Sequence, residues 1–308
     1  MNFKIILKKV FNQVFANIYL IFLKVKVVSD SAMDLPMEII EKHNISVVAH
    51  IVHFEEKEMK IGIGISVKEY YQMMEEMNEI PKNAPPTPQD FYEMFQSIYE
   101  KENYDHIIYV GVSEKLSSTI NVARIATKKI KKEITILNTE SASGVEGLMI
   151  LNIIKLLKKE KSIEEILEIM EELKDEYILT VGFHTLENVY KSGRLKSKFV
   201  LNLTKSIGLK PIAIMERPGV LKSTLPGFFT EKSMEKRIAN IVIKKAKKDV
   251  WYNMVISHVQ NPKAINRVYQ RITKKVKIND FYTTEASPVV GTNTGKGTVV
   301  VSLLPPID

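Results

Sequence analysis

The stretch KVKVVSDSAMDLPMEIIEKHNISVVAHIVHF, residues 24–54, decides the fold class. It begins with a short apolar strand over residues 24–29, passes through a polar turn into a helix whose first turn is fixed by Pro36, and ends in a second strand over residues 45–54. The second strand is apolar almost throughout, which is typical of a strand buried on both faces of a parallel sheet. Strand, turn and helix recur in this order along the chain, so we predict an α/β layer fold.

A junction in the middle of the chain indicates two domains. Residues 145–157 are apolar nearly all round and predict a buried helix. Ser162 and Glu165 then form a capping box that begins an exposed amphipathic helix, and a strand follows at residues 177–183. With 308 residues the chain is long enough for two packed domains, and we expect their boundary at this helix and strand.

Composition limits the classes of partner. Lys and Arg number 44 against 36 Asp and Glu, a net charge of +8, but the excess Lys alternates with apolar residues over segments such as 155–161 and 244–248. That pattern is typical of solvated helix faces, and nucleic-acid binding is not predicted. The absence of Cys excludes disulfides, thiolate nucleophiles and Cys-ligated zinc, and it agrees with a reducing cytoplasm.

Residues 1–23 form an N-terminal extension before the first strand. Lys8 and Lys9 precede an apolar run, but polar residues interrupt the run and no small-residue cleavage site follows, so a signal peptide is not indicated. The run is also shorter than the about 20 residues of a spanning helix, and no stable membrane insertion is expected. An amphipathic interfacial helix and an extension outside the fold remain the two interpretations.

The sequence contains segments that resemble enzyme motifs, but their residue spacing does not fit those motifs. Residues 291–298 resemble a phosphate-binding loop, but the glycine spacing is one residue short and a strand follows instead of a helix. His50 and His53 would lie on opposite faces of a strand, which argues against a metal pair. Asp30 and Asp34 follow a strand, where capping and turn roles explain them as well as a catalytic one. No metal, cofactor or catalytic residue is therefore predicted.

Hydroxyl side chains cluster after three predicted strands. Beside helix N-termini such hydroxyls can donate hydrogen bonds to an anion such as a carboxylate, with helix capping as the alternative role for each residue. The three clusters are Ser29, Asp30 and Ser31; Ser113 with Ser117, Ser118 and Thr119; and Thr139 with Ser141 and Ser143.

At these residues the chain resembles the DegV family of two-domain fatty-acid-binding proteins, and the resemblance extends from Lys24 to the C-terminus. Each motif is weak alone, but their order and spacing together make the resemblance specific. The matching segments are VSDS and DLP (28–31, 34–36) with S-D-S-T-x-D-L-P; PTPQDF (86–91) with the end of T-S-Q-P-S-P-x-D-F; SEKLSST (113–119) with S-S-x-L-S-G-T; YKSGRL (190–195) with L-K-K-G-G-R-I; GLKPI (208–212) with I-K-P-I; and VGTNTG (290–295) with I-G-T-H-T-G.

The resemblance implies a particular architecture. Residues 24–180 are expected to form an N-terminal α/β domain with a mostly parallel sheet and flanking helices, and residues 181–308 a C-terminal α/β domain with a mixed or antiparallel sheet. A ligand tunnel lined by Leu, Ile, Met and Phe is expected between them.

The resemblance also implies the residues that hold the ligand's carboxylate. Carried over by motif, they are Asn83, Ser117, Arg194 and Asn293, and Thr119 and Thr294 complete the expected polar end. Asn83 and Asn293 replace a Thr and a His of the family pattern; both can donate through an amide, but neither carries the charge or proton of a His.

A further departure from the family pattern is Glu114, which occupies the place of a Ser. If its side chain pointed inward, it would repel a ligand carboxylate by a few kcal/mol at about 4 Å and an effective dielectric of about 20.

The resemblance implies a non-enzymatic protein that binds a long-chain fatty acid and presents its carboxyl group to a partner fatty acid kinase, and we expect it to be cytoplasmic. The altered residues keep other interpretations open. The cavity could take a less charged lipid, could act as an enzyme on another carboxylate ligand, or could have lost its ligand while keeping the fold.

Overall fold

The computed structural model describes residues 23–54, 57–76, 80–195, 197–224 and 227–307, so all but the last residue of the predicted N-terminal extension lies outside the described residues. The described strands are β1 Val25–Asp30, β2 Ser46–Val48, β3 Ile51–Phe54, β4 Lys57–Lys60, β5 Lys82–Ala84, β6 His106–Gly111, β7 Ile134–Asn138, β8 Ile178–Gly182, β9 Ile212–Glu216, β10 Val220–Ser223, β11 Trp251–His258, β12 Lys277–Glu285 and β13 Val299–Leu304. The described helices are α1 Met37–Lys42, α2 Val67–Glu76, α3 Pro88–Lys101, α4 Thr119–Thr127, α5 Ser143–Lys158, α6 Ile163–Leu173, α7 Glu187–Lys191, α8 Lys198–Ser206, α9 Glu231–Lys245, α10 Lys263–Thr273 and α11 Pro288–Thr294.

The N-terminal sheet is parallel and has the order β2-β1-β6-β7. The prediction of one strand over residues 45–54 was wrong, because the chain leaves this sheet after Val48. The ladder between β1 and β2 extends only as far as Asp30 opposite Val48. The chain continues as β3 in a separate antiparallel sheet of order β4-β3-β5.

The C-terminal sheet is mixed, as expected, with the order β10-β9-β8-β13-β11-β12. Only the β11–β12 pair is parallel, and the other pairs are antiparallel. The predicted boundary at residues 180 and 181 falls inside β8, which pairs with β9 and β13. We propose that the second domain begins before Ile178, in the turn that follows α6.

Helix α5 lies between the two large sheets. Twelve of its residues are buried, as its all-round apolar character predicts, and it contacts β1 and β6 on one side and β11 and β13 on the other. A Cβ on Gly144 would lie 2.6 Å from the Cβ of Val255, and one on Gly147 would lie 2.5 Å from the Cγ of Leu35. Glycine at these two positions therefore lets both neighbours approach the helix closely, and one core is continuous across the helix.

Asp34 connects the two sheets through hydrogen bonds. Its fully buried carboxylate accepts from the Ser143 hydroxyl, from the Ser257 hydroxyl at 2.7 Å and from the Ser287 N–H at 2.7 Å. Burial raises the pKa of Asp34, and the hydrogen bonds from these serines oppose that shift. Asp30 instead accepts the backbone N–H of Ala32 at 2.9 Å, a turn role of the kind considered from the sequence.

Candidate functional site

A cavity of about 780 Å³ lies between the segments that follow the strands of the N-terminal parallel sheet and strands β8 and β9 of the C-terminal sheet. This volume is within the usual range of small-molecule pockets, about 300–1,000 Å³. Most of its wall is aliphatic or aromatic, so the cavity matches an apolar ligand. Apolar lining residues include Leu116, Leu179, Val181, Phe183, Leu186 and Met215.

One end of the cavity is polar because parallel strands end at the same edge of their sheet. The predicted hydroxyl clusters after β1, β6 and β7 do meet at this edge, where the Ser113 N–H donates to the Ser141 carbonyl at 2.8 Å. Several hydroxyls of these clusters are used within the protein: Ser29 donates to the Val110 carbonyl and Thr139 to the Gly111 carbonyl, both at 2.9 Å. Ser117, by contrast, is one of the residues that line the cavity.

Ser117 and Thr119 are in direct contact. Their hydroxyl oxygens lie 2.6 Å apart, and the Thr119 N–H donates to the Ser117 oxygen at 3.3 Å. Thr119 is fully buried at the start of α4, and it supports Ser117 from outside the cavity wall. These two residues, predicted as part of one polar end, are therefore brought together by the structure.

Arg194 and Asn293 form a second polar group at the cavity. The Arg194 guanidinium donates to the Asn293 side-chain oxygen at 2.7 Å and to the Leu116 carbonyl at 3.4 Å. Since Leu116 precedes Ser117, the guanidinium links the two polar groups. The arrangement places a positive charge and a hydroxyl donor at the end of an apolar cavity, which suits a ligand with an anionic head group.

The two remaining predicted residues, Asn83 and Thr294, also line the cavity, and their side chains donate hydrogen bonds within the protein. Asn83 and Asn293 both donate through their amides to the Val289 carbonyl, at 3.2 and 2.6 Å. The Thr294 hydroxyl donates to the Val290 carbonyl at 2.8 Å within α11. A ligand would have to displace the Thr294 contact to use that hydroxyl hydrogen, whereas each Asn amide has a second hydrogen besides the one donated to Val289.

Glu114 does not face the cavity. Its carboxylate pairs with the Arg124 guanidinium, and it is absent from the residues that line the wall. The repulsion of a ligand carboxylate, which an inward-facing Glu114 would cause, does not arise in this arrangement.

His50 is a cavity residue that the sequence reasoning set aside. It is 2% exposed, lines the wall, and its ring nitrogens lie 3.2 Å from the Ser31 hydroxyl and 3.3 Å from the Thr119 hydroxyl. Burial lowers the pKa of His50, with the negative charge of Asp30 opposing this and the positive charge of Arg194 adding to it. No local sequence signal identifies His50, because the break between β2 and β3 that places it at this edge was not predicted.

Two further findings concern what the described part of the chain lacks. Within the described ranges, no three His, Asp or Glu side chains are grouped so that they could hold a metal ion. None of the helices in those same ranges has the length and apolar character needed to cross a bilayer.

The sequence compares with a known family over nearly its whole described length. The sequence profile of the DegV family, described as an uncharacterised protein family, matches residues 24–306. A DegV domain-containing protein of Clostridium acetobutylicum is 27% identical over 287 residues, which cover 91% of this chain and 99% of the relative.

Solved structures share the fold. A Thermotoga maritima protein, whose structure is described as revealing a fatty acid binding function, superposes with a TM-score of 0.82 at 21% identity and covers 92% of this chain and 99% of its own. A DegV family protein of Thermus thermophilus, described by its fatty acid binding, gives a TM-score of 0.83 at 22% identity over 92% of this chain and 100% of its own. The predicted α/β fold class is thereby confirmed.

Proposed function

The chain belongs to the DegV family, as the motif resemblance predicted, and from that premise we propose that it binds a long-chain fatty acid and presents the carboxyl group to a partner kinase. In this proposal the acyl chain lies in the apolar part of the cavity, and the carboxylate lies at the polar end near Ser117 and Arg194. The protein acts as a non-enzymatic carrier, and the lack of Cys agrees with a reducing cytoplasm.

The observation that carries the proposal is that the cavity of about 780 Å³ is lined mainly by apolar residues and has Arg194 and Ser117 at its polar end. Burial of the acyl chain would supply most of the affinity. Each methylene removed from water contributes about 0.8 kcal/mol, so a 16-carbon chain gains on the order of 10 kcal/mol before the costs of ordering are subtracted. The carboxylate would then set the orientation of the ligand.

Fatty acid binding is also the property stated for the Thermotoga maritima and Thermus thermophilus structures. Two departures from the family pattern, at Asn83 and Asn293, are compatible with it. Both amides can donate hydrogen bonds, and Arg194, which matches the family pattern and contacts Asn293, retains a positive charge at the site.

Mass spectrometry of lipid extracted from the protein, purified without added ligand, tests the binding proposal. We expect one fatty acid per protein molecule. An uncharged lipid in its place would support the alternative of a less charged ligand, and an empty extract combined with no uptake of added palmitate would contradict lipid binding.

The kinase step requires a separate assay. Protein loaded with a fatty acid is mixed with a purified fatty acid kinase and radiolabelled ATP, and label in the acyl phosphate is measured. We expect label only when both proteins are present, because the described cavity is proposed to hold an acyl chain and not a nucleotide. Equal labelling of free and protein-bound acid would contradict presentation by this chain.

Ser117→Ala is expected to weaken fatty acid binding about two- to twelve-fold, which corresponds to the about 0.5–1.5 kcal/mol of one hydrogen bond. The reason is the loss of the hydroxyl donor at the cavity wall. Ser97→Ala, a substitution on α3 away from the cavity, is the matched control and should bind as the wild type does. Affinity is measured by displacement of a fluorescent fatty acid, and equal affinity of the two variants would remove Ser117 from the site.

A further inference from the structure

His50 occupies a position from which it can set the direction of the hydrogen bonds at the cavity wall. Its Nδ1 lies 3.2 Å from the Ser31 hydroxyl, and its Nε2 lies 3.3 Å from the Thr119 hydroxyl. Thr119 in turn is 2.6 Å from the hydroxyl of Ser117, which faces the cavity. Four side chains thus form one row of hydrogen bonds that ends at the ligand cavity.

Burial of the His50 ring favours its neutral form. Burial and the positive charge of Arg194 both lower the pKa of His50, and only Asp30 opposes them. Asp30 is already satisfied by other donors, since it accepts from the Tyr109 hydroxyl at 2.6 Å and from the Ala32 N–H at 2.9 Å. Its Oδ1 lies 3.6 Å from Nδ1, beyond hydrogen-bond distance. A neutral imidazole has one donor nitrogen and one acceptor nitrogen.

The contacts of Ser31 favour Nδ1 of His50 as the acceptor. Its hydroxyl oxygen accepts the backbone N–H of His50 at 2.8 Å, so its own hydrogen is available to Nδ1. The proton of the ring then lies on Nε2 and is donated to Thr119. Thr119 donates to Ser117, and the Ser117 hydrogen is directed into the cavity. With the opposite tautomer the whole row reverses, and Ser117 has no hydrogen to donate to a ligand.

We infer that His50 is a positioning residue whose Nε2–H orients the hydroxyls of Thr119 and Ser117 as donors, so that the site selects a carboxylate over an uncharged head group. This inference rests on the proposed function. A hydrogen bond to an ionised acceptor is roughly twice as strong as one to a neutral acceptor, so a fixed donor favours the acid over the corresponding alcohol.

The test compares the affinities for palmitate and for hexadecan-1-ol, which share the same chain length. The variants are His50→Leu, which has no donor, and His50→Gln, whose amide nitrogen can take the place of Nε2. His53→Leu is the control, since His53 lies nearby on β3 with its side chain 40% exposed and does not line the cavity. We expect the wild type, His53→Leu and His50→Gln to prefer palmitate to a similar degree, and His50→Leu to lose about ten-fold of that preference.

An unchanged preference in His50→Leu would overturn the inference. A second measurement needs no variant: the ¹⁵N spectrum of the His50 ring in the wild-type protein bound to palmitate. Protonation at Nε2 supports the inference, and protonation at Nδ1 contradicts it. If the wild type binds neither palmitate nor the alcohol, the proposed function fails as well, so the two failures can be told apart.

Discussion

Ala213→Phe should reduce fatty acid affinity by about 100-fold or more while leaving the protein folded. Ala213 is buried on β9, opposite Val181, and lines the cavity. A benzyl group at this position would fill part of the space proposed for the acyl chain. If it displaces about four methylenes, the loss is about 3 kcal/mol, which is roughly two orders of magnitude in the dissociation constant.

The neighbouring residue provides the control for this substitution. Ile214 is on the same strand but does not line the cavity, so Ile214→Phe should retain affinity within a small factor. Both variants are titrated with palmitate after circular dichroism has shown that they are folded. Wild-type affinity in a folded Ala213→Phe protein would mean that the acyl chain lies elsewhere.

Asp34→Ala is expected to lower the free energy of unfolding by about 3–5 kcal/mol, the largest effect on stability that we predict. The substitution leaves three buried donors, from Ser143, Ser257 and Ser287, without their acceptor. Because these donors belong to the beginning of α5, to β11 and to the residue before α11, the loss affects the junction of the two large sheets.

Asp249→Ala serves as the comparison. Its carboxylate is mostly exposed and pairs with Lys277 at 2.9 Å, an arrangement that contributes at most about 1 kcal/mol. Unfolding of both variants in urea is followed by circular dichroism. The slope of the unfolding free energy against urea concentration should be the same for the two variants. Similar midpoints for Asp34→Ala and Asp249→Ala would show that the buried hydrogen bonds around Asp34 contribute little.

Elements with a strong local signal could be predicted from the sequence. The Ser162 capping box correctly marked the beginning of α6. Apolar character all round was enough to identify α5 as buried. In each case the signal lies within the element itself, so no knowledge of its neighbours is needed.

Elements defined by their neighbours were missed. Residues 45–54 are apolar almost throughout, but this could not show that the pairing of β1 with β2 ends at Asp30. After that point the chain joins a second sheet as β3. Strand β12 is half-exposed at the edge of its sheet and lacks the apolar run that marks a buried strand. Helix α11 was also not predicted, because its segment contains Gly291, Thr292 and Asn293, which are typical of loops.

The site shows the same limit. The family motifs led to Ser117, Arg194 and Asn293, which the structure places at one cavity, although Arg194 and Asn293 are 99 residues apart in sequence. Nothing local distinguishes His50, whose contacts with Ser31 and Thr119 span 19 and 69 residues. Its role depends on which strand ends meet, and that is a property of the sheet order.

The position of α5 between two sheets also affects the chain during its synthesis on the ribosome. The helix is complete at Lys158, but β11 and β13, which cover one of its sides, follow only at residues 251–304. At about 5–20 residues per second, the helix waits about 7–30 s for its last partner strand. During this interval the side of α5 that β11 and β13 will cover stays exposed in the nascent protein. The first half of the chain therefore becomes fully packed only after β13 has left the ribosome.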